Sequence, residues 1–205
     1  MSKVYATLTG AIGLAAVGSM FNLIYGHGGL GFSLLGFVAL LYVAFTKGES
    51  PARVGAFAFF TFCQGLGIGP LIGMAASIDP SIVVTAFLAT TVIFAAFSIA
   101  AMVATRRSYL YLGGVLSSIM MIMMVMSLLS MFGLRNDFTT NVQLGMGLLV
   151  FMGYVIFDTQ LMIEKADAGM KDFISDALQL FIDFVAIFVR LLIILSKMSE
   201  KKEKK

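Results

Sequence analysis

The sequence predicts an all-α, polytopic membrane protein with about seven transmembrane helices, and three observations support this fold class. The 205 residues are 60% hydrophobic and only 12% charged, whereas a soluble domain has about 25% charged residues. Apolar runs of about 18 residues or more recur along nearly the whole chain, and each can cross the hydrocarbon core as a helix. None of these runs alternates in polarity as the strands of an outer-membrane barrel do.

Seven apolar runs follow one another, separated by short polar breaks. They span residues 4–25, 30–46, 54–76, 82–105, 110–132, 142–164 and 173–195. Each run predicts one helix, and breaks this short join helices that are antiparallel neighbours. We therefore expect a single transmembrane bundle domain over residues 1–196, followed by a Lys-rich disordered tail over residues 197–205.

Basic residues in the short loops predict the orientation of the bundle. Lys3 and the loops at 47–53, 105–109 and 165–172 carry most of the positive charge outside the tail, so the positive-inside rule places the N-terminus in the cytosol. The same seven-span topology places the Lys-rich tail on the opposite side of the membrane from the N-terminus, which contradicts the positive-inside rule. Either the last run is re-entrant, or it is a full span surrounded by protein.

Several charged residues lie within the apolar runs. Asp158 is in the sixth run, and Asp176, Asp183 and Arg190 are in the seventh. A charge near the centre of a membrane helix costs about 2.5–3.5 kcal/mol, so each is a functional candidate. Spacing by seven places the three residues of the last run on one helix face. Arg190 is close enough to the end of its run to reach the interface, and Asp176 is close enough to the start to cap the helix or face water.

Asp158 and Asp183 are predicted to meet. The short loop at 165–172 makes the last two helices antiparallel neighbours, and the depths of the two aspartates differ by roughly 6 Å at a rise of about 1.5 Å per residue. Two carboxylates in a low-dielectric site cannot both ionise cheaply, so the pair is expected to titrate as a unit and sense protons. When ionised, the same oxygens suit calcium as a metal ligand set.

A structural interpretation of the two aspartates remains open from the sequence. Both carboxyl groups would then stay protonated and bond to polar neighbours, namely Tyr154, Thr159, Gln160 or Gln179. The glycines around Pro70 also have two interpretations. Gly65, Gly67, Gly69 and Gly73 are typical of close helix packing, and a proline within a helix is also typical of a hinge.

Segments near the C-terminus resemble a known family. The stretch from Phe157 to Ala166 reads FDTQLMIEKA and the stretch from Leu180 to Phe184 reads LFIDF; both are similar to the hallmark of the Bax inhibitor family, and residues 106–114 also match its animal endoplasmic-reticulum branch. The resemblance implies a seven-helix bundle in the endoplasmic reticulum, with the polar last helix at its centre, that suppresses apoptosis and leaks calcium under proton control. It maps the family's paired aspartates onto Asp158 and Asp183.

Arg53 is a secondary candidate that comes from the same resemblance. In bacterial relatives an arginine before the third helix is thought to latch onto one aspartate of the pair, and Arg53 is the nearest basic residue here.

The sequence favours a calcium leak channel that responds to protons. Two alternatives stay open: a proton-coupled calcium exchanger that uses the same aspartates, and an interaction protein that binds apoptosis regulators or calcium-release channels. The metal-protease pattern His-Glu-x-x-His and the hydrolase pattern Gly-x-Ser-x-Gly do not occur, so no enzyme and no cofactor is predicted. The charge pattern offers no basic domain for nucleic acid; the predicted partners are the lipid bilayer, calcium and protons.

Overall fold

The computed structural model describes residues 2–26, 29–104, 110–131 and 137–203, and the regular structure in these ranges is α-helical. The helices are α1 Ser2–Tyr25, α2 Leu30–Phe45, α3 Pro51–Ile78, α4 Pro80–Val103, α5 Leu110–Met131, α6 Asp137–Asp167 and α7 Phe173–Glu203. The all-α prediction is confirmed. The basic residues of the 105–109 loop lie outside the described residues, so the orientation of the bundle stays a prediction.

Six of the described helices are long and apolar enough to cross a membrane: α1, α3, α4, α5, α6 and α7. The remaining helix, α2, has 16 residues. At about 1.5 Å per residue it is shorter than the hydrocarbon core of about 30 Å. The chain is therefore a multi-pass helical membrane protein with six long apolar helices and one shorter one.

Helix boundaries follow local capping chemistry. Pro51 and Pro80 begin α3 and α4, where the missing N–H group of proline leaves no helical bond unmade. The Ser50 side chain accepts the Arg53 N–H group at 3.2 Å, and Asp79 Oδ1 accepts the Ser81 N–H group at 2.8 Å. These two short polar side chains satisfy backbone donors that the first turns leave free.

The last helix is longer than the sequence suggested. A disordered tail was expected from residue 197, but α7 continues as helix to Glu203. Lysine and glutamate are good helix formers, and extending an existing helix needs no new nucleation step. Lys197 Nζ also donates to Asn141 Oδ1 on α6 at 3.1 Å.

The chain divides into two compact units. Unit 1 comprises Met1–Val83 and Gly169–Ile182, and unit 2 comprises Val84–Ala168 and Asp183–Lys205. The expectation of one bundle domain over residues 1–196 stays a prediction. In unit 1, the Phe181 ring packs edge-on against Phe57 and Phe60, with ring centroids 6.3 Å and 6.0 Å away. In unit 2, Phe184 packs in the same way against Phe94 at 5.6 Å.

Within unit 1, α1 and α3 approach so closely that only glycine fits at their contact. A Cβ atom on Gly65 would lie 2.0 Å from the Ala15 carbonyl oxygen, and one on Gly18 would lie 2.3 Å from the Phe62 carbonyl oxygen. On Gly69 it would lie 2.6 Å from the Asn22 side chain. Helix α3 is continuous through Pro70. The packing interpretation therefore describes Gly65 and Gly69, whereas a Cβ atom on Gly67 would meet nothing within 4 Å.

Candidate functional site

The two intramembrane aspartates of unit 2 meet between α6 and α7. Asp158 is 9% exposed and Asp183 is 3% exposed, and their carboxyl groups lie close enough to interact directly. Two carboxylates this close in a buried site repel each other, and a proton held between them removes that repulsion. The Oδ2 atom of Asp183 is buried and has no hydrogen-bond partner among the described residues. The pair, called the aspartate pair below, can therefore hold a proton between its members.

Three polar neighbours of the aspartate pair direct their hydrogen bonds elsewhere. The Gln160 Nε2 group donates to the carbonyl oxygens of Ala101 and, at 3.3 Å, Ala104 on α4. The Tyr154 hydroxyl lies 3.5 Å from the Ser117 hydroxyl. The Thr159 hydroxyl has no partner among the described residues. The structural interpretation, in which such neighbours satisfy the carboxyl groups, gains no support from these three side chains.

Arg190 lies against α6 and points back toward the start of α7. Its Nη1 group donates to the Ala186 carbonyl oxygen at 3.0 Å, and its Cζ atom is 4.4 Å from the centre of the Phe151 ring, a cation–π distance. A Cβ atom on Gly147 would lie 2.3 Å from Nε. The side chain therefore does not extend toward the C-terminal end of the helix, as a side chain reaching for the interface would, because α6 offers it an aromatic face and the space beside a glycine.

Arg53 belongs to unit 1 and is 1% exposed. Its Nε group donates to the Val43 carbonyl oxygen at 3.1 Å and its Nη1 group to the Gly48 carbonyl oxygen at 3.0 Å. Both terminal nitrogens bind the Asp172 carboxylate, at 2.7 Å and 2.9 Å, and Nη2 also donates to Ser175 Oγ at 2.7 Å. A guanidinium has five N–H donors, so every donor of Arg53 is used.

The partner of Arg53 is thus Asp172 rather than a member of the aspartate pair. Asp172 directly precedes α7, whereas Asp183 is ten residues into that helix, which is about 15 Å further along its axis. Asp176 lies in the first turn of α7 and is 7% exposed, where a negative charge stabilises the helix N-terminus. Asp176, Asp183 and Arg190, which are spaced by seven along α7, therefore lie in different surroundings.

Asp172 is a residue that the sequence analysis missed. Its Oδ1 atom accepts the Ser175 N–H group at 3.2 Å and its Oδ2 atom accepts the Ser175 hydroxyl at 2.9 Å. An aspartate just before a helix, followed three residues later by serine, is an N-cap signal that sequence alone carries. Burial opposes ionisation of Asp172, but hydrogen bonds from Arg53 and Ser175 and the charge of Arg53 outweigh it and lower the pKa of this carboxyl group.

We expect the ion pair between Asp172 and Arg53 to stabilise the folded protein at neutral pH, and we expect this contribution to be lost in acid. Because the folded pKa of Asp172 lies below its unfolded value, its contribution is present above the unfolded pKa and is lost as the pH falls through the folded pKa. Asp172→Asn should lower the melting temperature in detergent at about pH 7 and flatten its decline toward about pH 3. Glu49→Gln, in an exposed loop of the same unit, is the control. A melting profile of Asp172→Asn that superimposes on that of the control would contradict this account.

Comparisons with known proteins find the same family along almost the whole chain. The family profile described as "Inhibitor of apoptosis-promoting Bax1" matches residues 1–200. Bax inhibitor 1 of Rattus norvegicus is 42% identical over all of this chain and 89% of its own length. Bax inhibitor 1 of Arabidopsis thaliana is 40% identical over 99% of this chain and 83% of its own length, and that of Homo sapiens is 36% identical over 100% and 88%. The chain therefore belongs to the Bax inhibitor 1 family, whose members are non-enzymatic, multi-pass membrane proteins.

Proposed function

We propose that this protein is a calcium leak channel of the endoplasmic-reticulum membrane, that protons control the leak through the aspartate pair, and that the protein suppresses apoptosis. The observation that carries the proposal is the close approach of two buried carboxyl groups on helices long and apolar enough to span a membrane. The names of the relatives, which contain the words Bax inhibitor, support the role in cell death.

The aspartate pair offers two states with different affinities for cations. With one proton between the carboxyl groups, the pair carries one negative charge and its oxygens are partly engaged with each other. When that proton leaves, the two charges repel each other, and four carboxylate oxygens become ligands of the kind that calcium prefers. Protons and calcium then compete for the same oxygens, so calcium affinity is expected to fall as the pH falls. A pathway beside the pair would change its occupancy and conduction with pH.

The aspartate pair is expected to set the pH dependence of calcium flux. Asp158→Asn and Asp183→Asn each remove one titrating carboxyl group and retain its shape, so each should flatten or shift the pH profile. The measurement is calcium efflux from proteoliposomes that contain the purified protein, scanned from about pH 6 to 8, the range in which a coupled pair of buried carboxyl groups can titrate.

Glu164→Gln is the matched control for this experiment, because Glu164 is an exposed carboxylate on the same helix as Asp158. If both aspartate variants keep the pH profile of the control, the aspartate pair has a structural role only. Efflux no faster than that of empty liposomes would favour an interaction protein that binds apoptosis regulators or calcium-release channels. Flux that requires a pH gradient, in fixed proportion to proton movement, would identify a proton-coupled exchanger.

A further inference from the structure

Helices α6 and α7 of unit 2 meet along one antiparallel seam. Asp158 faces Asp183 at one level of this seam, and Phe151 faces Arg190 at the next level. The two contacts are seven residues apart on both helices, and seven steps of about 100° return a helix to nearly the same face. The aspartate pair and Arg190 therefore lie on one interface, about 10 Å apart along the helix axes.

Arg190 is the one charged residue along this part of the two helices. Between Asp183 and Lys197 no other residue of α7 is charged, and residues 138–157 of α6 carry no charge. The sequences of α4 and α5, the other long helices of unit 2, contain no charged residue either. A cation that moves along the seam from the aspartate pair toward the C-terminal end of α7 therefore passes one fixed charge, and that charge is positive.

The charge of Arg190 is not neutralised by a carboxylate. Among the described residues, none forms an ion pair with Arg190. Its Nη1 group donates to the Ala186 carbonyl oxygen at 3.0 Å, and its Cζ atom lies 4.4 Å from the centre of the Phe151 ring. A carbonyl dipole and an aromatic face stabilise a cation but leave its net charge in place. Since a guanidinium stays protonated in proteins, Arg190 keeps a full positive charge beside the seam.

The packing around Arg190 fixes the position of this charge. The Nε atom of Arg190 and the Cε atom of Met123 on α5 both occupy space that a Cβ atom on Gly147 would need. The Phe151 ring covers the guanidinium from the same helix as Gly147, and the bond to the Ala186 carbonyl oxygen turns the side chain back toward the aspartate pair. The guanidinium is therefore held between α6 and α7, with α5 beside it.

We propose that Arg190 is an electrostatic barrier on the calcium route, which cations pass after they leave the aspartate pair and which slows divalent ions more than monovalent ions. This proposal rests on the proposed function and assigns the rate and the ion preference of the leak to a further residue. Coulomb repulsion is proportional to the charge of the ion, so Arg190 opposes calcium twice as strongly as potassium. A fixed positive charge beside a pore excludes cations in this way.

Arg190→Met tests the barrier, because methionine fills much of the same volume without a charge. We expect calcium efflux to become about tenfold faster. Because a rate depends exponentially on its barrier and potassium feels half the repulsion, potassium efflux should become faster by the square root of that factor, about threefold. A variant that only loosens the seam would accelerate both ions equally. The measurement is efflux of each ion from matched proteoliposomes that contain the full chain, at one pH and one ionic strength.

Three further variants separate the charge of Arg190 from its packing. Arg190→Lys keeps the charge and should conduct both ions at rates close to those of the wild-type protein. Arg190→Gln removes the charge but keeps a donor for the Ala186 carbonyl oxygen, so it should reproduce the result if Arg190→Met does not fold. Lys201→Met is the control: it removes an exposed cation near the end of the same helix and should leave both rates unchanged, since water and salt screen that charge.

The outcomes separate this proposal from the proposed function. If Arg190→Met and Arg190→Gln conduct calcium at the rate of Lys201→Met, the barrier is overturned, and the proposed function stands as long as Asp158→Asn and Asp183→Asn alter the pH profile. An equal acceleration of calcium and potassium would also overturn the barrier. If potassium flux is undetectable in every variant, a calcium rate of Arg190→Lys as high as that of Arg190→Met overturns it. If neither the wild-type protein nor Arg190→Met conducts calcium, both proposals fail.

Discussion

Gly65→Ala is expected to lower the free energy of unfolding by about 3 kcal/mol, at the upper end of the usual range for overpacking a tight contact. The added Cβ atom would lie 2.0 Å from the Ala15 carbonyl oxygen and 2.8 Å from its Cα atom. These are backbone atoms of α1, so no side-chain rotation relieves the clash and the two helices must separate. Chemical unfolding of the purified protein in detergent micelles measures the change.

Gly67→Ala provides a control on the same helix. A Cβ atom on Gly67 meets nothing within 4 Å, and alanine is a better helix former than glycine by about 1 kcal/mol. The control should therefore be neutral or slightly stabilising. Equal unfolding free energies for the two variants would show that α1 and α3 do not pack through Gly65.

Arg53→Met is expected to destabilise the protein by about 2–3 kcal/mol, because it leaves buried carbonyl oxygens without a donor, whereas Asp172 is 35% exposed and water screens its charge. The substitution leaves the Asp172 carboxylate without its cation and the carbonyl oxygens of Val43 and Gly48 without a donor. Methionine fills much of the volume, so the loss reports the polar contacts rather than a cavity. Unfolding in detergent at neutral pH again gives the measurement.

Two further variants make the result for Arg53 specific. Arg53→Lys keeps the charge but loses the two-pronged bond to Asp172, so its stability should be intermediate. Lys47→Met removes an exposed cation from the same loop region and should change the unfolding free energy by no more than about 0.5 kcal/mol. If Arg53→Met were as stable as Lys47→Met, the network around Arg53 would not hold unit 1 together.

The stability effects and the proposed transport effects arise at different residues. Gly65 and Arg53 hold helices of unit 1 through a backbone contact and a saturated hydrogen-bond network. Asp183 Oδ2 is buried without a hydrogen-bond partner among the described residues, which is unfavourable for stability alone. We therefore expect Asp183→Asn to alter calcium handling with little loss of stability, and Gly65→Ala to do the reverse.

The class of protein, the approximate helix positions and the choice of Asp158 and Asp183 as partners could be predicted from local features of the chain. These properties depend on local quantities: the length of apolar runs, the cost of a charge in the bilayer and the rise per residue of a helix. The loop at 165–172 is short, so the relative depth of the two aspartates could be calculated by counting residues from it.

The contacts of the polar side chains and the glycines could not be predicted from local sequence. Arg53 and Asp172 are 119 residues apart in the chain, and no local pattern pairs them. Gly65 and Gly67 look equivalent in the sequence, but only Gly65 meets the backbone of α1. For Arg53 and Gly65 the contacting groups belong to distant parts of the chain, so a residue's own neighbours in the sequence cannot specify them.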